Sequence, residues 1–398
     1  YIMTYHVSTL SQEMRFLPTG QPDSALQVLQ PRQHGLEYYA THHGDSFYII
    51  TNKNAYNYKL VKTPVSNPSI ENWKDVLPHR EDVLVEHLDV FENHLVLHER
   101  KGGLKHLRLS RIDDDVNNAI YVKFPDPTYE VSVEYNLEFN TKEFRIRYSS
   151  LAAPTTIANI NLDTGAWTIL KEDEIANFDK SNYACEFVFA NASDGKKIPM
   201  SIAYKKGLER GGKNPTLIYG YGAYGASSEA HFNSNLISIL DRGFVFAIAH
   251  VRGGSEMGRA WYDEGKMFNK KNSFTDLIAC AEYLIKEKFT SPEKLSIIGS
   301  SAGGLLVGAS MVMRPDLFNT VICKVPFVDV VTSMSDPTIP LTTLEYDQWG
   351  NPKESKEAFD YMLSYSPYDN LGEVEYPNLL LTTGYNDPRV AYWEPAKF

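Results

Sequence analysis

The chain is 398 residues long, and single hydrophobic cores stop growing near roughly 250 to 300 residues, so two domains are expected. With 43% hydrophobic and 22% charged residues it has the balance of a folded protein, which excludes disordered and fibrous classes. Its 50 acids against 39 Lys and Arg give a net charge of -11, a surface that repels a phosphate backbone and accommodates a cationic ligand more readily than nucleic acid.

Residues 1–175 read as short strands of alternating Tyr, Val, Ile, Leu and Phe separated by Asn, Asp and Gly turns. A strand, a polar turn and a second strand recur from Phe47, from His94 and from Glu143. The spacing of about 45 to 50 residues is that of a four-stranded propeller blade. A β-sandwich with uneven hairpins is the alternative on this pattern alone. An acidic connector, Lys171 to Asp179, then separates this half from residues 176–398.

Beyond the connector, Tyr183 to Ala190 and Ile198 to Tyr204 flank an Asp194-Gly195 turn and predict a hairpin. Thr216 to Tyr219, Phe244 to Ala249, Leu295 to Ile298, Thr320 to Val325 and Asn378 to Thr382 are continuous apolar runs of strand length, as a parallel sheet buried on both faces requires. Between them Ser273 to Lys286 has helical periodicity, with Leu277, Ile278, Ala281, Leu284 and Ile285 on one face and Ser273 with Asp276 as a candidate capping box. The second half is therefore expected to be a doubly wound α/β domain. Every apolar run is far shorter than the roughly 18 to 20 residues that span a bilayer, so no membrane association is expected. The chain starts at Tyr1 without an initiator Met, so a missing leader proves little. Cys185, Cys280 and Cys323 lie far apart, which disfavours structural zinc and disulfides and fits a reducing, cytoplasmic compartment. No cofactor or metal is called for.

The strand from Lys294 runs into Gly299-Ser300-Ser301-Ala302-Gly303 and then into the apolar stretch Leu305 to Met313. Strand, G-x-S-x-G and helix make a nucleophile elbow, a turn tight enough that only small residues can flank the central serine. Ser301 is the candidate nucleophile, with the Ala302 N–H at the helix start facing a developing oxyanion. In an α/β hydrolase the acid follows the nucleophile at the end of a later strand, and Asp387 follows the strand from Asn378. Its bland alternative is a turn residue before Pro388.

Four segments, Tyr219-Gly-Tyr221-Gly-Ala-Tyr224-Gly, His250-Val-Arg252-Gly-Gly-Ser-Glu256, the elbow, and Asn386-Asp387-Pro-Arg389-Val, resemble the prolyl oligopeptidase family of serine peptidases. Within it, the stretch Ile339 to Pro352, containing Glu345, Asp347 and Trp349, and the ending Ala391-Tyr-Trp393-Glu-Pro-Ala-Lys-Phe398 are similar to the oligopeptidase B branch, which cleaves after Arg and Lys. The resemblance implies a propeller, here the last blades of seven, before the hydrolase domain. It implies Ser301 and Asp387 as triad members, Tyr221 beside Ala302 in the oxyanion hole, and Arg389 on a substrate carbonyl. It further implies Glu345 and Asp347 as an acidic pair for a basic P1 side chain, Phe327 against that side chain's aliphatic stem, and Glu229 for a basic P2 residue. His231 stands where the branch has a second P2 acid, which weakens the expected dibasic preference.

The expected function is a serine oligopeptidase acting on short basic peptides. Alternatives are a relative of other specificity, proline included, and an inactive propeller-hydrolase binding protein; an esterase is disfavoured by the propeller. All 11 histidines lie at or before His250, whereas the base in the order Ser, Asp, His must follow Asp387. The expectation is a chain lacking both ends of a longer parent and, as written, unable to turn over peptides.

Overall fold

The computed structural model describes residues 1–398 and divides into two compact units. One comprises Tyr1–Pro125, Val131–Tyr148 and Thr156–Glu172; the other comprises Asp126–Glu130, Ser149–Thr155 and Asp173–Phe398.

Four antiparallel sheets succeed one another along the first 172 residues, each built from strands consecutive in sequence: one of three strands and three of four. The middle hairpins of the four-stranded sheets, such as Ser46–Thr51 with Lys59–Pro64, are the recurring pairs of the sequence pattern. Side-chain alternation explains their stacking. Phe47 and Ile49 pack with Met14, Phe16 and Tyr38 of preceding strands, whereas Tyr48 and Ile50 pack with Leu60, Leu88 and Leu97 toward the following sheet. A sheet apolar on both faces fits between blades of a propeller; a two-layer sandwich would leave one face wet. The leading three-stranded sheet, Ile2–Ser8, Ser11–Leu17 and Gln27–Val28, was not legible in the sequence, since Ile2 and Val7 are exposed and the last strand has two residues.

The second unit centres on a seven-stranded sheet: β1 (Tyr183–Asn191), β2 (Lys197–Lys205), β3 (Thr216–Tyr219), β4 (Val245–Ala249), β5 (Leu295–Ser300), β6 (Thr320–Lys324) and β7 (Asn378–Thr382). Their order across the sheet is β1-β2-β4-β3-β5-β6-β7, with β2 antiparallel to both its neighbours, β1 and β4, and the remaining pairs parallel. Ile218, Val245, Ala247, Leu295, Ile297 and Val321 are buried in one core, as continuous apolar runs predict. β7 departs from that expectation. It forms the sheet's edge, and Leu379 and Leu380 are 39% and 52% exposed.

Two helices pack here: α1 (Lys271–Lys286) and α2 (Ala302–Met313). The capping box expected at Ser273 and Asp276 does not form, because α1 starts two residues earlier and both side chains are drawn inward. The Ser273 hydroxyl donates to the Arg252 carbonyl at 2.6 Å. Asp276 accepts from the Arg252 backbone N–H and Nε at 2.9 Å each and from Nη2 at 2.6 Å. Arg252 also donates to Asp194, so it ties α1 and the β1–β2 turn to the loop after β4. No helix is long and apolar enough to cross a membrane.

Breaking a buried pair leaves an uncompensated charge that typically costs about 3–5 kcal/mol. Asp276→Ala is expected to lower unfolding free energy in urea by that amount. A loss under about 1 kcal/mol would mean that Asp194 alone compensates the guanidinium.

Candidate active site

β5 ends at Ser300 and α2 begins at Ala302, so Ser301 is the whole connection. Its backbone sits at φ 56°, ψ -120°, a left-handed conformation that costs a non-glycine residue of order 1–3 kcal/mol. Neighbouring bonds hold it there. The Ser301 N–H donates to Lys324 O at the end of β6 at 2.9 Å, and Ser301 O accepts from Gly304 and Phe327 N–H at 2.8 and 3.2 Å. The flanking residues must be glycine for reasons of space: a Cβ on Gly299 would lie 2.0 Å from Gly303 O, and one on Gly303 would lie 2.7 Å from Gly220 O. The elbow therefore brings the loop after β3 against the first turn of α2.

That contact delivers Tyr221. Its hydroxyl lies beside Ser301, and burial, which outweighs the opposing effect of the serine, pushes the phenol above its ordinary pKa and keeps it neutral. The N–H of Ala302 opens α2, where the first-turn donors have no intrahelical acceptor. A phenol and a helix-start amide beside one serine are the two donors that a tetrahedral oxyanion requires.

Ser301 and Tyr221 line a pocket of about 370 Å³ together with Tyr224, Phe327, Glu345, Arg389 and Glu394. Val325, at φ 41°, turns the chain after β6 so that Phe327 enters this pocket, its ring 5.3 Å from that of Trp349. Glu345 Oε2 accepts from Trp349 Nε1 at 2.7 Å and from the Tyr224 hydroxyl at 3.0 Å, leaving Oε1 for a ligand. Burial raises its pKa, opposed by these two donors. Asp347 does not join it: the residue is exposed and outside the pocket lining. The cause is local geometry, since Glu345 and Asp347 lie in one helical stretch, where residues two apart point to different sides. The expected acidic pair is thus not assembled at this pocket.

Asp387 follows β7 in a turn in which its Oδ1 accepts the N–H groups of Arg389 and Val390 at 2.9 and 3.1 Å. It lines a neighbouring depression of about 290 Å³, which shares Ile339 and Arg389 with the Ser301 pocket. His250 is no substitute base. It is 3% exposed, its Nε2 lies 2.7 Å from Ser201 Oγ, and Ser201 in turn bonds Thr128 at 2.6 Å. Glu229 and His231 both line a separate groove of about 950 Å³ that meets the first pocket at Tyr221.

The model of the prolyl oligopeptidase N-terminal β-propeller domain matches residues 1–173, and that of the prolyl oligopeptidase family matches residues 230–398. The chain belongs to the prolyl oligopeptidase family. It is 46% identical over 98% of its length to a dipeptidyl aminopeptidase BI of Pseudoxanthomonas mexicana, and 40% identical over 100% to Protease 2 of Moraxella lacunata. Among solved structures, oligopeptidase B from Leishmania major superposes with a TM-score of 0.91 at 42% identity over 99% of the chain. Oligopeptidase B from Trypanosoma brucei with covalently bound antipain gives 0.91 at 41% over 98%. The chain spans only 54% and 57% of the two curated relatives and 56% of each solved chain.

Three residues that line or support the site escaped sequence reasoning. Tyr224 and Trp349 were seen as motif letters, yet they orient Glu345. Lys270, 1% exposed, donates to the carbonyl of Gly222 and at 3.0 Å to Ser273 Oγ, with its ammonium 5.3 Å from the Trp349 ring; burial pushes it down to about 7. Its partners are mostly backbone carbonyls, which leave no sequence signal; Asp276 on the adjoining helix would have been the one clue.

Gly299→Ala is expected to unfold the elbow region, because its new Cβ would meet the backbone of Gly303 and no side chain can yield. Gly372, whose surroundings are open, is the control. A thermal unfolding midpoint for Gly299→Ala equal to that of Gly372→Ala would contradict the close approach.

Proposed function

We propose that this chain carries the nucleophile and substrate pocket of a serine oligopeptidase that cleaves short peptides after Arg or Lys. One observation carries the reading: a strained serine, beside a neutral phenol, opens onto a pocket holding a half-buried glutamate with a free oxygen. Ser301 Oγ attacks the P1 carbonyl carbon and loses its proton to a general base. Tyr221 and the Ala302 N–H take the oxyanion, the amine leaves protonated, and water hydrolyses the ester. An Arg or Lys side chain at P1 gains charge-assisted hydrogen bonds to Glu345 while Phe327 covers its methylenes. Arg389 holds a substrate carbonyl and Glu229 receives a basic P2 residue, with His231 beside it moderating that preference. Asp387 is the acid that orients a histidine base, which residues 251–398 do not contain. Residues 1–398 alone are therefore inactive in this reading, and addition of a histidine-bearing C-terminal segment restores turnover. The free, separate thiols support action in a reducing cytoplasm.

A second reading concerns where along a peptide the enzyme cuts. One relative bears the name dipeptidyl aminopeptidase and another that of a prolyl endopeptidase. Glu345 weighs against proline at P1, which offers no charge. Blocking the peptide N-terminus separates the others: an oligopeptidase retains its rate, whereas a dipeptidyl enzyme loses it.

Two measurements on the extended chain test the assignment. Ser301→Ala should abolish labelling by a fluorophosphonate and Ser300→Ala should retain it; label on the Ser301→Ala protein sinks the register of the elbow. Glu345→Gln should lower kcat/KM for Arg substrates about 30-fold to several-thousand-fold. Because burial raises the Glu345 pKa, the wild-type rate should fall in acid at a higher pH than an ordinary carboxylate gives, and this limb should vanish in the Gln variant. Arg cleavage within a few-fold of wild type would refute the basic pocket.

A further inference from the structure

We propose that Glu394 is a second specificity-determining acid of the Ser301 pocket, acting with Glu345 on a cationic P1 side chain in the place Asp347 was expected to fill. The inference rests on the basic-pocket reading above. Glu394 lines the same pocket as Ser301, Phe327 and Glu345 while being 2% exposed. A carboxylate so buried needs donors, and it has three: Oε2 accepts the N–H groups of Val328 and Asp329 at 2.8 and 3.0 Å, and Oε1 accepts from Ser333 Oγ at 2.6 Å. The first two fix the loop that carries Phe327. The third links to the other acid, because the Ser333 carbonyl accepts from Thr342 Oγ1 at 2.8 Å and Thr342 begins the turn that ends at Glu345.

The charges around Glu394 leave it responsive to a ligand. Asp329 on the adjoining loop repels its ionised form but is itself paired with Lys397, and Glu345, Arg389 and the neutral phenols of Tyr221 and Tyr224 line the same pocket. Burial, the larger cause, pushes Glu394 up to about 7. At neutral pH the empty pocket therefore holds a carboxyl that is partly protonated. The proton sits on Oε1, because Oε2 faces two N–H donors, and Ser333 rotates its hydroxyl to accept it. A guanidinium or ammonium entering the pocket favours the ionised form, and the proton leaves to solvent. By linkage, the factor by which the cation favours ionisation equals the factor by which ionisation tightens cation binding.

Glu394→Gln suits the test, since its amide oxygen can accept both N–H groups and its NH2 can donate to Ser333. The charge goes and the network stays. The probes are p-aminobenzamidine, a fluorescent cation, and neutral p-aminobenzamide, titrated into the 398-residue chain, with calorimetry at pH 7 in buffers of different ionisation enthalpy. The expected results at pH 8 are amidine binding weakened at least about tenfold in Glu394→Gln and in Glu345→Gln, amide binding unchanged within about twofold, and amidine-linked proton release at pH 7 in wild type that is lost in Glu394→Gln. Since the raised pKa means that the folded state keeps its proton to higher pH than the unfolded one, stability falls as pH rises from the unfolded carboxyl range toward about 7 and levels off above it. Glu394→Gln should then gain stability relative to wild type between pH 5 and pH 8. Should it fail to fold, Ser333→Ala, which removes one donor and keeps the charge, should move the midpoint of amidine binding to higher pH, and no movement counts against the proposal. Unchanged amidine affinity and proton release in Glu394→Gln, alongside loss in Glu345→Gln, overturns the role of Glu394 and leaves the basic pocket standing. A wild-type chain that does not bind amidine in preference to amide overturns both.

Discussion

The backbone of Ser301 at φ 56° is the constraint on which the rest of the site depends. One residue joins a buried strand to a buried helix, so its conformation sets both the direction of α2 and the height of the hydroxyl above the sheet. Of order 1–3 kcal/mol of strain is stored there. It persists because β5 is paired on both sides, by β3 and β6, and because α2 is almost wholly buried, so no cheaper path joins them. The glycines serve the same geometry. Gly303 lets the loop after β3 approach α2, and the approach brings Tyr221 beside Ser301.

The same elbow also sets where the pocket lies. Phe327 N–H donates to Ser301 O, so the loop after β6 is anchored to the turn it covers, and positive φ at Val325, rare for a β-branched residue, redirects that loop. From there the contacts run outward through aromatic rings. Phe327 meets Trp349, Trp349 meets Tyr224, and both Trp349 and Tyr224 donate to Glu345. Beneath them the buried Lys270 binds the carbonyl of Gly222, next to Tyr221, and lies against Trp349. Tyr221 and Glu345 thus share one support, and a disturbance there reaches both.

The sequence made legible what is written in runs and small spacings. Parallel strands buried on both faces appear as apolar runs, the elbow appears as glycines around serine before a helix, and alternation in Phe47 to Ile50 reports a sheet covered on two sides. What it hid was written in three dimensions. Ser273 and Asp276 have the spacing of a capping box, yet a buried guanidinium competes for the carboxylate and wins, since an unpaired Arg252 would cost several kcal/mol against about 1 for a cap. Glu345 and Asp347 read as a pair in a linear string and diverge on a helical turn. Glu394 stood in plain view beside Trp393, but its donors come from residues 328, 329 and 333, and no local pattern joins them.

Two carboxylates near one serine pose an electrostatic problem that the fold resolves through unequal environments. If both were fully ionised in an empty pocket, each would raise the other's cost and would lower the electrophilic help available to an oxyanion forming nearby. Glu345 is less enclosed, and its two donors oppose the rise that burial causes in its pKa. Glu394, enclosed and facing Asp329, titrates near neutrality and ionises most readily when a cation is present. On the proposed assignment, the negative charge of the pocket is matched to its occupancy: modest when empty and full when a basic side chain has neutralised it. Under that arrangement a neutral side chain meets a partly protonated floor that gives it no charge to pair with, and a cation draws out the charge that holds it. If the pocket takes a basic side chain as proposed, selectivity comes from the ionisation of the site as well as from its shape.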